Sequence, residues 1–197
     1  MKNAVSRIAI FASGNGSNAE NIVSYFRKKR TAAVDLIVSN KADAFVLERA
    51  AKLAIDSLII NRTDFKSPQL LLELLQSKSI DYIVLAGFLW LIPKELVDAF
   101  PQKIINIHPA LLPKYGGKGM YGQFVHEAIS TARDTKTGIT IHYVNFAYDE
   151  GDIIFQKSVE IEAGENPDKI AEKVHKLEYT YFPQVIERVI LADVLIR

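Results

Sequence analysis

From residue 7 to about residue 107, short and nearly unbroken apolar runs alternate with segments whose apolar residues recur every three or four positions. This alternation constrains the fold more than any other feature. A run that is apolar at consecutive positions suits a strand covered on both faces, whereas three- and four-residue spacing buries one stripe of a helix. Repeated strand–helix units of this kind build a mainly parallel sheet with helices on both sides. The predicted strands are Arg7–Phe11, Val34–Ser39, Ser57–Ile60, Asp81–Ala86 and Lys103–Ile107. A helix is expected over Asn18–Lys29, with Ala19, Ile22, Val23 and Phe26 on its buried stripe. Ser67-Pro68 reads as an N-cap followed by proline at the first helical position, opening a helix with Leu70, Leu71, Leu74 and Leu75 on one face. Pro93 and Pro167 read the same way, and the last helix is expected over about Pro167–Leu191 with a kink at Pro183. Thr137–Asn145 and Ile153–Ile161 are strand-like with no helix between them, so an antiparallel addition is expected there.

Composition narrows the function. A chain of 197 residues without repeats or linkers is expected to form one domain. It has no cysteine, which excludes disulfides, thiolate nucleophiles and cysteine-held metals. The net charge of +1 argues against a general nucleic-acid or membrane-surface binder. No apolar run reaches membrane-spanning length. The segment Met1–Asn18 passes from a strand into a glycine turn, without the apolar core or cleavage site of a signal peptide, so a cytoplasmic protein is expected.

Ligands of open α/β sheets bind beyond the carboxyl ends of the strands, at a switch in strand order. The turn after the first strand is Ser13-Gly14-Asn15-Gly16-Ser17-Asn18. Glycine lets the backbone approach a ligand closely, and the helix that follows presents unpaired N–H groups suited to phosphate. Gly14–Ala19 fits the dinucleotide pattern G-x-G-x-x-A, but the second strand ends in Ser39-Asn40-Lys41 without the acid that would hold a ribose; Lys41 suits a phosphate instead. The turn is not a P-loop. Its other reading is a capping box, with Ser17 at the N-cap and Glu20 at N3.

In Asn106-Ile107-His108-Pro109, alternation along the strand puts Asn106 and His108 on one face, and Pro109 favours extended geometry at His108. Such a polar pair at the end of a buried strand is either hydrogen-bonded for structure or used for chemistry. The other histidines, His126, His142 and His175, are scattered and lack zinc-ligand spacing, so no metal is expected. The following loop, Leu111–Gly122, has four glycines and two lysines, which suits a surface loop or a mobile positive cover for an anionic substrate. Asp149, Glu150 and Asp152 crowd one turn, which reads as a solvated acidic turn or a cation site.

Together, GNGSN (Gly14–Asn18), SNKADA (Ser39–Ala44), LAGF (Leu85–Phe88), NIHP (Asn106–Pro109), LLPKY (Leu111–Tyr115) and DEGDII (Asp149–Ile154) resemble the glycinamide branch of the folate-dependent formyltransferases. They occur in that family's order over nearly the whole chain. The resemblance implies an α/β, Rossmann-like fold: a mainly parallel twisted sheet of about seven strands, helices on both faces, and an antiparallel C-terminal addition. It implies a single domain, in which residues 1–100 form the substrate-phosphate half and residues 101–197 the catalytic and folate half. The implied reaction moves the formyl group of 10-formyltetrahydrofolate, a co-substrate, to the amine of N1-(5-phosphoribosyl)glycinamide in purine biosynthesis. The implied catalytic residues are Asn106, His108 and Asp149. Gly16, Ser17 and Asn18 would bind the substrate phosphate and Glu178 the ribose, while Leu89, Trp90, Leu91, Ile92 and Asn106 would bind folate. Asp149 is expected to raise the pKa of His108 and keep it charged. Trp90 stands where some relatives carry a basic side chain, and Gly116–Gly122 replaces a different loop. The expected partners are small molecules alone, with neither nucleic acid nor membrane, and the expected state is a monomer or homodimer. Two other readings are a nucleotide-cofactor oxidoreductase, from the G-x-G-x-x-A turn, and a non-catalytic phosphometabolite-binding protein on the same fold.

Overall fold

A computed structural model describes residues 5–196, so part of the leader-free N-terminal reading, Met1–Ala4, lies outside the described residues. Five strands alternate with helices: β1 (Ser6–Phe11), α1 (Ser17–Lys29), β2 (Ala32–Ser39), α2 (Phe45–Lys52), β3 (Asp56–Ile59), α3 (Arg62–Lys66), α4 (Gln69–Ser77), β4 (Tyr82–Leu85), α5 (Lys94–Ala99) and β5 (Ile104–His108). The chain continues through α6 (Gln123–Thr131), β6 (Lys136–Tyr143), β7 (Ile153–Glu160) and α7 (Pro167–Ile196). One seven-stranded sheet has the order β3-β2-β1-β4-β5-β6-β7. β1–β5 pair in parallel, and β6 and β7 join as an antiparallel extension.

The period-two pattern of the strands sorts the core into two layers. On one face Ile8, Ile10, Ile105 and Ile107 pack with α1, α2, α6 and α7, through side chains such as Ile22, Val46, Val125 and Phe182. On the other, Ala9, Phe11, Leu36 and Val38 pack with α3, α4 and α5, through Phe65, Leu71, Leu75 and Leu96. The strand order reverses beside β1, which has β2 on one side and β4 on the other. The turns after β1 and β4 therefore flank a crevice, the position at which such sheets bind ligands. They are tied together by Ser13 N–H to Gly87 O (3.0 Å) and by Leu89 N–H to Ser13 Oγ (3.0 Å).

Four local expectations are corrected. Ser17 does not cap α1. The N-cap is Gly16, in a left-handed conformation (φ 76°), with no side-chain cap, and Glu20 instead pairs with Arg49. Ser67 ends α3, and Pro68 takes the N-cap position of α4. Likewise Pro93 is the N-cap of α5, not its first residue. Leu70 points outward at 73% exposure, while Leu71 and Leu75 are buried. Pro167 does open α7, which continues past Pro183 to Ile196. A proline inside a helix costs about 3 kcal/mol. Burying Ile170, Val174, Phe182, Val185, Ile186 and Ile190 offsets that several times over, at about 1.5–3 kcal/mol for each side chain.

Candidate active site

A cavity of about 650 Å³ opens along the carboxyl ends of β1, β4 and β5. At one end lies the Gly14–Asn18 turn. Gly16 sits so close to α2 that a Cβ there would lie 2.4 Å from Val46 Cγ2, and Gly14 O accepts the Val46 N–H (3.1 Å). With no side-chain cap, the first-turn amides of α1 have no capping side chain to bond. Gly16, Ser17, Asn18 and Lys41 all line the cavity here. Asn18 Nδ2 donates to Glu178 Oε2 (2.8 Å), so α7 closes this end. Glu178 is buried, which raises its carboxyl pKa, while the Asn18 hydrogen bond and the charge of His175 oppose the rise.

At the centre, Asn106 and His108 share one face of β5. The β5–β6 register sets His142 directly opposite Asn106 and Thr140 opposite His108. Asp149 comes from the turn before β7, in a left-handed backbone conformation (φ 57°). Its Oδ1 accepts from Asn106 Nδ2 (3.4 Å) and its Oδ2 from Gly117 N–H (2.9 Å). Oδ2 lies 3.5 Å from His108 Nδ1, and Oδ1 lies 3.6 Å from His142 Nε2. Carbonyls only accept, so His142 Nδ1–H donates to Tyr143 O (2.7 Å) and His108 Nε2–H to Tyr115 O (2.7 Å). Asn106 Nδ2 and His142 Nε2 lie within hydrogen-bond distance of each other, at 3.1 Å.

The electrostatics correct one expectation. Burial lowers the His108 pKa by more than Asp149 and the Tyr115 carbonyl raise it, and His142 adds to the lowering. The imidazole is therefore mainly neutral at neutral pH instead of held as a cation. For Asp149, burial pushes the carboxyl up, but the His142 hydrogen bond, the His108 charge and the Gly117 N–H outweigh it and leave the group below its ordinary value. The centre thus combines an ionised carboxylate with a neutral imidazole 3.5 Å away.

Leu89–Ile92 form a third, largely apolar wall, with Ile92 buried. Trp90 packs on Phe65 (5.5 Å) and Phe88 (6.2 Å), and the Arg62 guanidinium lies 5.2 Å over its ring. Gly117–Gly122 line the opposite side. Among the described residues, no group of three His, Asp or Glu side chains could hold a metal ion.

All the residues that the family resemblance implies for catalysis, phosphate, ribose and folate line this one cavity. Glu150 and Asp152 do not; the Asp152 carbonyl accepts the Tyr143 N–H in the β6–β7 pairing. Sequence reasoning missed His142. The signal was present, since Thr140 and His142 alternate with Ile139 and Ile141, but only the pairing with β5 gives it meaning.

A doubly wound sheet whose switch point joins an uncapped helix N-terminus to an Asn–His–Asp cluster defines a Rossmann-like protein with its cavity where such sheets bind ligands. The chain belongs to the formyl transferase family, which it matches over residues 6–186. It is 39% identical over 193 residues to the chloroplastic phosphoribosylglycinamide formyltransferase of Arabidopsis thaliana, covering 91% of this chain and 64% of that protein. It is 37% identical to the Bacillus subtilis phosphoribosylglycinamide formyltransferase, covering 93% of this chain and 94% of the relative. Among solved structures, it superposes on glycinamide ribonucleotide transformylase 1 from Symbiobacterium toebii with a TM-score of 0.87, at 29% identity over 97% of this chain and 90% of that one. For the Geobacillus kaustophilus transformylase 1 the TM-score is 0.85, at 34% identity over 95% and 100% of the two chains. No helix among the described residues is long and apolar enough to cross a membrane.

Proposed function

We propose that the protein transfers the formyl group of 10-formyltetrahydrofolate to the amine of N1-(5-phosphoribosyl)glycinamide, a step of purine biosynthesis. One observation carries the reading: a single cavity connects the uncapped start of α1 with the Asn106–His108–Asp149 cluster. The names of the relatives point the same way. The substrate phosphate binds at Gly16, Ser17 and Asn18, where amides and the helix dipole favour a dianion. Glu178 receives the ribose, and the folate lies along Leu89–Ile92 and reaches Asn106. The division of labour between residues 1–100 and 101–197 is not a division of folding, since Leu89–Ile92 and Glu178 each serve the other half's ligand. Charged, water-soluble substrates suit a cytoplasmic site.

Attack by the amine on the formyl carbon creates a tetrahedral centre with an oxyanion and an ammonium. Asn106 supplies a neutral donor for the oxyanion by turning toward it the Nδ2–H that makes the long 3.4 Å contact with Asp149. His108, neutral before the reaction, takes the ammonium proton, and the Asp149 carboxylate stabilises the cation so formed. The same proton then passes to N10 as its bond to the formyl carbon breaks. The amine is itself the nucleophile, so no enzyme-bound acyl intermediate is required.

The direct test follows tetrahydrofolate formation with and without glycinamide ribonucleotide. Amine-dependent product supports the transferase, whereas folate release independent of the amine, or no release at all, overturns it.

A further inference from the structure

We propose that His126 is a further substrate-binding residue, one that hydrogen-bonds a hydroxyl of the sugar between the phosphate and the amine; this rests on the function proposed above. His126 sits on α6 and lines the cavity, although its side chain is almost wholly enclosed at 2% exposure. Its Nδ1 is buried with no hydrogen-bond partner. Buried polar atoms are nearly always satisfied, and an orphan bordering a binding cavity is an atom waiting for a ligand.

The surroundings define what that ligand offers. On α6 itself the buried neighbours are Val125 and Ile129. From α7, the His175 ring stands edge-on with its centroid 6.5 Å away, and Glu178 lines the same cavity. His108 acts on it from the end of β5. Burial first, then the charges of His175 and His108, push its pKa down to about 4. Near neutral pH the ring is therefore uncharged, with one donor and one acceptor. Such a ring is poorly suited to gripping a phosphate dianion, whose place is at the α1 amides. A hydroxyl, which also donates and accepts, is its complement.

Position agrees. His126 is near His108, at the reacting end, and near His175 on α7, the helix whose Glu178 closes the phosphate end. In a phosphoribosyl amine the pentose spans that interval. Glu178 can hold one face of the sugar diol while His126 takes a hydroxyl from the α6 side.

The test compares wild type with His126→Leu and His126→Asn, using glycinamide ribonucleotide and its 2′-deoxy and 3′-deoxy sugar analogues. His126→Leu is expected to raise the KM for the ribonucleotide about tenfold, the worth of one buried hydrogen bond. Its kcat and its KM for 10-formyltetrahydrofolate stay close to wild type. His126→Asn keeps a polar atom near the Nδ1 position and recovers most of the loss. One of the deoxy analogues binds wild type about tenfold more weakly and loses nothing further in His126→Leu. An unchanged KM in His126→Leu overturns this inference alone. So does an equal loss for the ribonucleotide and both analogues, which is the mark of a merely structural effect. Wild type that does not formylate the ribonucleotide at all overturns the proposed function and this inference together.

Discussion

The Asn106–His108 pair was readable because strand alternation is local, so two residues two apart must share a face. His142 was not readable as a member of the same group. Its place opposite Asn106 depends on a pairing across 36 positions of sequence, which no local pattern encodes. The protonation state of His108 was misjudged for a related reason. A carboxylate can be anticipated from a motif, but the depth of burial that outweighs it is a property of the assembled fold. Two predictions belong here. His108→Ala should lower kcat by about 100- to 10,000-fold, the range for a lost general acid–base group, while a calorimetric Kd for glycinamide ribonucleotide stays near wild type because the phosphate binds at another turn. A variant with wild-type turnover ends that role. Asp149→Asn tests the coupling through the pH profile. Asp149 works against burial by raising the His108 pKa, so without it the pKa falls further. Since the neutral imidazole is the active form, the acidic limb of the kcat profile should move to lower pH. A limb that does not move shows that the carboxylate does not govern His108.

The elements themselves followed the sequence where one period dominated. β1, β2 and β5 carry nearly continuous apolar runs, and their successive residues were sorted into the two core layers as their alternation requires. Boundaries were less legible, because the same residue types serve both ends of a helix. Ser67 closes α3 where the sequence suggested that it opens α4. The start of α1 shows the physics most clearly. Ser17 and Glu20 have capping-box spacing, yet the fold keeps that end uncapped and spends Glu20 on Arg49. Gly16 makes this possible, since it alone takes φ 76° while touching α2. Gly16→Ala should therefore strain the backbone by about 1–2 kcal/mol and also force Val46 away. We expect a lower thermal midpoint and a clearly weaker Kd for the ribonucleotide, with the KM for 10-formyltetrahydrofolate little changed. Unaltered ribonucleotide binding would show that the turn does not hold the phosphate.

At the scale of the whole molecule, the residues assigned to phosphate, ribose, folate and catalysis meet around one cavity at the carboxyl ends of β1, β4 and β5, and this was foreseeable from the rule that such sheets bind ligands at the switch point. The pH dependence of stability was not foreseeable, because it depends on which histidines the fold encloses. His126 titrates at about 4 in the folded chain and near 6.5 when unfolded. Its folded pKa is the lower one, so between these values the unfolded state binds more protons and acid favours unfolding. The stability of the neutral form is complete above pH ~6.5 and is lost as pH falls toward 4, a change of about 3 kcal/mol for this residue. His108 is shifted in the same direction and adds to the slope. Asp149, held below its ordinary value, contributes only further down, where carboxylates protonate. Denaturant midpoints measured from pH 7 to pH 4 should therefore fall in wild type and fall less steeply in His126→Leu, with the two proteins close in stability at pH 7, where the leucine leaves no unpaired ring nitrogen. If His126→Leu has the same acid slope as wild type, the imidazole is not held neutral by the fold, and the case for an uncharged hydroxyl ligand at that position is lost with it.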